Sequence, residues 1–154
     1  MSLLTPTFRQ NKPGWYACHR RQLNNVSRKQ AKVILLGDSI MANLTRYPSV
    51  WDDHLSPFNT VNCGIGGDRT QHILWWADNM YLPPSVSAAA ILCGTNNMDI
   101  NIHRPQDIAH SALLCGTRLR ERHPHLNVIF VGILPRDGGT SKKRSKIQQT
   151  NEKN

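Results

Sequence analysis

Three short clusters of small and polar residues stand out in this sequence: Gly37-Asp38-Ser39, Gly64-Ile65-Gly66-Gly67-Asp68, and Gly94-Thr95-Asn96-Asn97. They carry the residue types that acyl transfer needs. Ser39 lies where a helix is expected to begin, so its hydroxyl can project into a cleft among free backbone N–H groups, although Ser before a helix is also a favoured N-cap. Gly66 and Gly67 let the backbone approach a ligand or adopt a positive φ, which a plain turn also requires. A dinucleotide fingerprint starting at Gly64 would need Gly where Arg69 stands, so that motif does not fit. Asn96 and Asn97 suit left-handed turn positions, and Asn96 can equally direct an amide donor into a cleft. A nucleophile and its oxyanion donors must lie about 3 Å from one reacting carbonyl, so the clusters matter only if the fold brings them together.

The elements between them supply that convergence. Each cluster follows a short, continuous apolar run, Val33–Leu36, Thr60–Cys63 or Ala88–Cys93, and a fourth run spans Val128–Leu134. Such runs are how parallel strands buried on both faces read. Helical segments separate them: Ser39–Leu55 interrupted at Pro48, Thr70–Met80, and Pro105–His123, with Pro105 and Asp107 suited to a first turn. A further helix is expected from near Ser141 to the chain end. Strand–helix–strand repeated three times predicts an α/β fold of three layers, α/β/α, with a flavodoxin-like parallel sheet. Ligands bind such sheets at the C-terminal strand ends, beside the switch point.

With 154 residues the chain suits one domain, and its size does not demand disulfides or metals. The net charge of +9 is concentrated at the ends: residues 1–32 hold seven basic residues and no acid, and residues 136–154 hold six against Asp137 and Glu152. Residues 33–135 are slightly acidic. Basic ends suggest a polyanion partner. They contain little aromatic interleaving and no nucleic-acid reading motif, so they read as solvated tails with no bearing on the cleft, and nucleic-acid association is the lesser alternative. Residues 1–31 lack sustained periodicity and are expected to be a basic, mobile arm, tacked to a domain at 32–154 through Trp15 and Tyr16. Trp51, Trp75 and Trp76 read as core or interface aromatics. Cys18, Cys63, Cys93 and Cys115 match no zinc-ligand spacing and read as buried free thiols. No apolar run approaches the about 18 residues of a membrane span and no signal peptide is evident, which places the chain in the cytoplasm.

The three clusters, in this order at successive strand ends, resemble the first three signature blocks of the SGNH (GDSL-like) hydrolases. Gly-Ile-Gly-Gly-Asp-Arg-Thr followed by His72-Ile73-Leu74-Trp75, then Gly-Thr-Asn-Asn and Gly132-Ile133-Leu134-Pro135-Arg136, is similar to the catalytic α subunits of the intracellular platelet-activating factor acetylhydrolases. The resemblance covers about residues 32–150. It implies a serine esterase acting on a short acyl or acetyl ester, with Ser39 as nucleophile. The backbone N–H groups of Ser39 and Gly67 and the side-chain amide of Asn96 would form the oxyanion hole, while Asp38, Asp68 and Asn97 support the loops. It implies no metal or organic cofactor, a small ester as substrate and a homodimer.

The same resemblance implies a fourth block, Asp-x-x-His, after a fifth strand, with the His as general base. The sequence ends at Asn154 before such a block, so a chain ending there is expected to lack the last strand, its helix and the base, to leave an open sheet edge, and to be weakly active or inert. The string Asp107-Ile108-Ala109-His110 has the right letters but lies at the start of a crossover helix. A module that keeps the pocket for binding or assembly without hydrolysis is the alternative from a different class.

Overall fold

The computed structural model describes residues 2–136 and 142–153. Helix α1 (Trp15–Arg28) leads into strand β1 (Val33–Gly37), which α2 (Ser39–Asn43) and α3 (Pro48–Val50) follow. Strand β2 (Thr60–Asn62), α4 (Thr70–Asn79), β3 (Ala88–Leu92), α5 (Pro105–Arg122), β4 (Asn127–Phe130) and α6 (Lys142–Asn151) complete the order. The four strands form one parallel sheet in the order β2-β1-β3-β4. Val33 pairs with both Thr60 and Ala88, and Gly37 with Leu92.

The apolar runs of β1 and β3 are continuous because these two strands are covered on both faces. Ile34, Leu36, Ala89 and Ile91 point into a core with Ile73, Leu74, Trp76, Cys115 and Leu119 from α4 and α5. The alternate residues Leu35 and Leu92 join Met41, with Ile40, Trp51 and Leu55 packed beside them. Two cores on opposite faces of one parallel sheet make the expected three-layer α/β/α, flavodoxin-like architecture. Each fully buried Ile or Leu here contributes about 1.5–3 kcal/mol.

Three expectations are corrected. Residues 15–28 are not an irregular arm but helix α1, with Trp15, His19 and Val26 buried. Trp15, His19, Leu23 and Val26 recur at helical spacing, a stripe hidden by basic neighbours, and Val26 lies within the central core. The segment after Ser39 is not a helix broken once. It runs as α2, a 3-10 turn at Leu44–Arg46, α3, a π-turn at Trp51–Leu55 and a 3-10 turn at Ser56–Phe58. Pro48 and Pro57 remove backbone donors, and Asn59 ends the segment at φ +52°. Strand β4 stops at Phe130 rather than Leu134.

Beyond β4 no described strand pairs with its outer edge, where Ile129 is 55% exposed. Past the strand end, the Asn151 side chain of α6 accepts from the Ile133 N–H and donates to the Ile133 carbonyl, both at 2.9 Å. The expected start of this helix near Ser141 lies outside the described residues, and α6 is described from Lys142. Cys63, Cys93 and Cys115 are buried, Cys18 is half-buried, and all four are free. Burial pushes the Cys63 thiol up to about 12. Trp76 is fully buried in the central core, with Trp75 packed against it and Trp51 against the opposite one.

Candidate functional site

The chain leaves β1 for β2 on one side and returns to β3 on the other, so the sheet's switch point lies between the loops after β1 and β3. Asp38 opens the first loop. One of its oxygens accepts the Ile40 N–H at 2.8 Å and caps α2, while the other, also buried, has no partner among the described residues. Burial holds the Asp38 carboxyl above its ordinary value, opposed by the Ile40 N–H and the charge of Arg136. Ser39 is the first residue of α2 and is half-buried. No hydrogen bond involves its hydroxyl among the described residues.

The second loop packs directly on this turn. A Cβ at Gly64 would lie 2.6 Å from the Ala42 nitrogen and 3.0 Å from the Asp38 carbonyl oxygen, so only glycine fits. A Cβ at Gly66 would stand 3.7 Å from Ser39 Cβ, which sets Ser39 against the diglycine. Gly67 takes φ +81°. The third loop is tied to the second by Asn96, whose Nδ2 donates to the Asp68 carbonyl at 2.7 Å. Asn97 is fully buried and fixes the start of α4: its Oδ1 accepts the Thr70 N–H at 3.1 Å and its Nδ2 donates to Gln71 Oε1 at 3.1 Å. Ser39, Gly66–Gly67 and Asn96 thus share one corner, with Asp38 and Asn97 beneath them.

Asp68 is fully buried and anchors the second loop. Trp15 Nε1 donates to both of its oxygens at 2.9 and 3.1 Å, and Arg9 Nη1 donates to Oδ1 at 2.9 Å. Burial raises its pKa to about 6, and these two donors pull the other way. His72 Nδ1 lies 3.9 Å from the same carboxylate but accepts the Arg69 N–H at 3.0 Å, which leaves the ring proton on Nε2. Burial, Arg9 and Arg69 lower His72 to about 4. The ring is therefore neutral at pH 7, and the Asp68–His72 approach is not an ion pair.

The sequence reading missed Arg9, Lys12 and Arg136 here. Lys12 Nζ donates to the Gly66 carbonyl at 2.7 Å, and Arg136 reaches the Thr95 carbonyl at 3.1 Å and Asp99 at 3.3 Å. The basic ends are thus not only solvated tails, because three of their cations bind the loops of the site. Nothing local in the sequence marks Arg9 and Lys12, which lie more than fifty residues from the carbonyl they hold.

No histidine hydrogen-bonds to Ser39 among the described residues. Asp107 pairs with Arg104 through two bonds of 2.8 and 3.1 Å, and His110 is exposed on α5. No group of three His, Cys, Asp or Glu side chains among the described residues could hold a metal ion. A groove of about 600 Å³ lies away from the three loops, between α5 and β4, lined by Leu113, Gly116, Val128 and Phe130. It contains none of Ser39, Gly66, Gly67 and Asn96.

No protein-family model matches the chain. Over 141 residues it is 30% identical to platelet-activating factor acetylhydrolase IB subunit alpha1 of Homo sapiens, covering 90% of this chain and 58% of that protein. It is 29% identical to subunit alpha2 of Homo sapiens, covering 90% of this chain and 59% of the relative. The chain spans less than two thirds of the length of these relatives. A GDSL-like lipase from Bacteroides thetaiotaomicron shares the fold with a TM-score of 0.69 at 17% identity, covering 90% of this chain and 71% of the lipase.

Proposed function

We propose that the chain belongs to the SGNH (GDSL-like) hydrolase superfamily, a reading supported by its 30% identity to the acetylhydrolase subunit and by the fold it shares with a GDSL-like lipase, and that it is a serine esterase for short acyl esters, acetyl esters foremost. The observation that supports this is Ser39 set against Gly66–Gly67, with Asn96 bound into the same loop at the sheet's switch point. In the reaction, Ser39 Oγ forms a bond to the ester carbonyl carbon and releases its proton to a base, and the carbonyl oxygen becomes an oxyanion. The N–H groups of Ser39 and Gly67 and the Asn96 amide stabilise that charge. One amide hydrogen of Asn96 is held by Asp68 and the second remains for the oxyanion. Each such donor is worth about 2.7–4 kcal/mol in the transition state. The alcohol leaves with a proton, and water then hydrolyses the acyl-serine.

With no histidine on Ser39 among the described residues, the proton passes to solvent, and turnover by these 154 residues is slow. Loss of the histidine of a serine triad costs on the order of 10⁶ in kcat and leaves roughly 10³–10⁴ over water. A fluorophosphonate probe tests the reading. We expect labelling of the parent chain that is slow, faster at alkaline pH and abolished by Ser39→Ala. If neither this chain nor one continued through a downstream Asp-x-x-His is labelled, the esterase reading is wrong. The unpartnered Ser39 hydroxyl favours one other reading, a module that binds an ester without cleaving it, which predicts saturable binding with no acyl-serine. No helix among the described residues is long and apolar enough to cross a membrane. A cytoplasmic location and a homodimer belong to the same proposal.

A further inference from the structure

The peptide joining Gly66 to Gly67 is gripped from one side by the N-terminal segment. Arg9 Nη1 and Lys12 Nζ both donate to the Gly66 carbonyl, at 2.9 and 2.7 Å. Arg9 is itself fixed, because the same Nη1 donates to the buried Asp68 carboxylate that Trp15 also holds. Its guanidinium lies against Gly67, where a Cβ would meet Nη2 at 2.6 Å and would be strained at φ +81°. There is no cis peptide bond among the described residues. In a trans peptide the N–H points opposite to the preceding carbonyl. A Gly66 carbonyl turned toward Arg9 and Lys12 therefore turns the Gly67 N–H away from them, and residue 66 borders Ser39.

We propose that Arg9 and Lys12 are positioning residues that aim the Gly67 N–H at the reacting carbonyl and strengthen it as an oxyanion donor. The proposal rests on the esterase reading above. Two effects combine. Two cationic donors on one carbonyl fix the peptide plane before substrate arrives, so no reorganisation is needed in the transition state. Donors on the carbonyl also polarise the peptide and make its N–H a better donor, as in any chain of hydrogen bonds. The basic N-terminal segment thereby acts on the chemistry through a backbone group it does not supply.

Lys12→Met is the cleaner probe, since among the described residues Lys12 Nζ hydrogen-bonds only Gly66, while Arg9→Gln also removes a hydrogen bond to Asp68. The rate measured is the Ser39-dependent hydrolysis of p-nitrophenyl acetate, the parent chain minus Ser39→Ala. We expect Lys12→Met and Arg9→Gln each to lower kcat about tenfold with KM within about twofold, a fraction of the loss on deleting an oxyanion donor. Lys12→Arg and Arg9→Lys should restore most of it. In ¹⁵N-resolved spectra the Gly67 amide proton should move upfield in Lys12→Met, with the amides of β1 and β3 unmoved. Unchanged kcat in both variants, a change confined to KM, or a stationary Gly67 resonance would overturn the proposal while leaving the esterase standing. If Ser39→Ala hydrolyses the ester as fast as the parent chain, the esterase reading falls, and the positioning role with it.

Discussion

Trp15→Phe tests whether the N-terminal helix and the Gly66–Asp68 loop form one cooperative unit. The indole is 1% exposed and packs edge-on against Phe8 and His19, and its Nε1 donates to both oxygens of Asp68. Phenylalanine keeps most of the ring and removes that donor. A hydrogen bond to a charged group is worth about 1.5–3 kcal/mol, and the smaller ring leaves a space costing about 1 kcal/mol more. The expected loss is about 2.5–4 kcal/mol at pH 7.5, a large share of a typical domain's stability. The loss depends on pH because Asp68 titrates near 6 in the folded state. That value lies above the unfolded carboxylate's, so the contribution of Asp68 is full below about pH 3.9 and is lost, by about 3 kcal/mol, as pH rises through 6. At pH 5 the carboxyl is mostly protonated and the missing donor matters less, so the loss falls to about 1.5–2.5 kcal/mol. Urea unfolding followed by far-UV circular dichroism, on Trp15→Phe, Asp68→Asn and the double variant at both pH values, gives the coupling directly. A loss under about 0.5 kcal/mol at both pH values would show that α1 is not part of the unit. An equal coupling at pH 5 and 7.5 would refute the raised Asp68.

His19 and His72 are held at about 3 and about 4, largely by burial, so the folded state refuses protons that the unfolded chain accepts below about pH 6.5. Their contribution is full above about pH 6.5 and is lost as pH falls toward 4, about 3 kcal/mol for His72, and His72→Asn should flatten the fall in melting temperature across that window. Gly94→Ala should cost about 2–4 kcal/mol, because φ is +114° and the new methyl would lie 2.8 Å from Ile133 and 2.9 Å from Ile108. A near-neutral urea midpoint would show that the third loop yields. Asn97→Ala strands the buried Thr70 N–H and should cost about 2–3 kcal/mol by the same assay, whereas Asn97→Asp, which keeps the acceptor, should recover part of it.

The centre of the sheet was legible because β1 and β3 are covered on both faces, which makes Val33–Leu36 and Ala88–Cys93 unbroken apolar runs. Pro105 was a sound helix start because its fixed φ suits the first turn and holds the preceding Arg104 extended. Helix α1 was obscured because its buried face consists of Trp15, His19 and Val26, set among Arg20, Arg21 and Arg28. The segment after Ser39 was misread because apolar spacing reports a helical face without reporting whether the turns are α, 3-10 or π. Within the site, the glycines and asparagines announced loops through their own conformational demands. Arg9 and Lys12 could not announce themselves, since their part is set by a carbonyl more than fifty residues away and by a buried aspartate whose partners only the fold reveals.

The open edge of β4 sets a gradient of amide protection across the sheet. Strands β1 and β3 are flanked on both sides, so their amides exchange with solvent deuterium only when the sheet itself opens. Outward-facing amides of β4 have no ladder partner among the described residues and should exchange on a far shorter timescale, while the Ile133 amide, held by Asn151, should stand out as a protected point beyond the strand end. The molecule therefore carries its own clock for loss of α6: when that helix detaches, Ile133 loses its protection before any residue of β1 or β3 does.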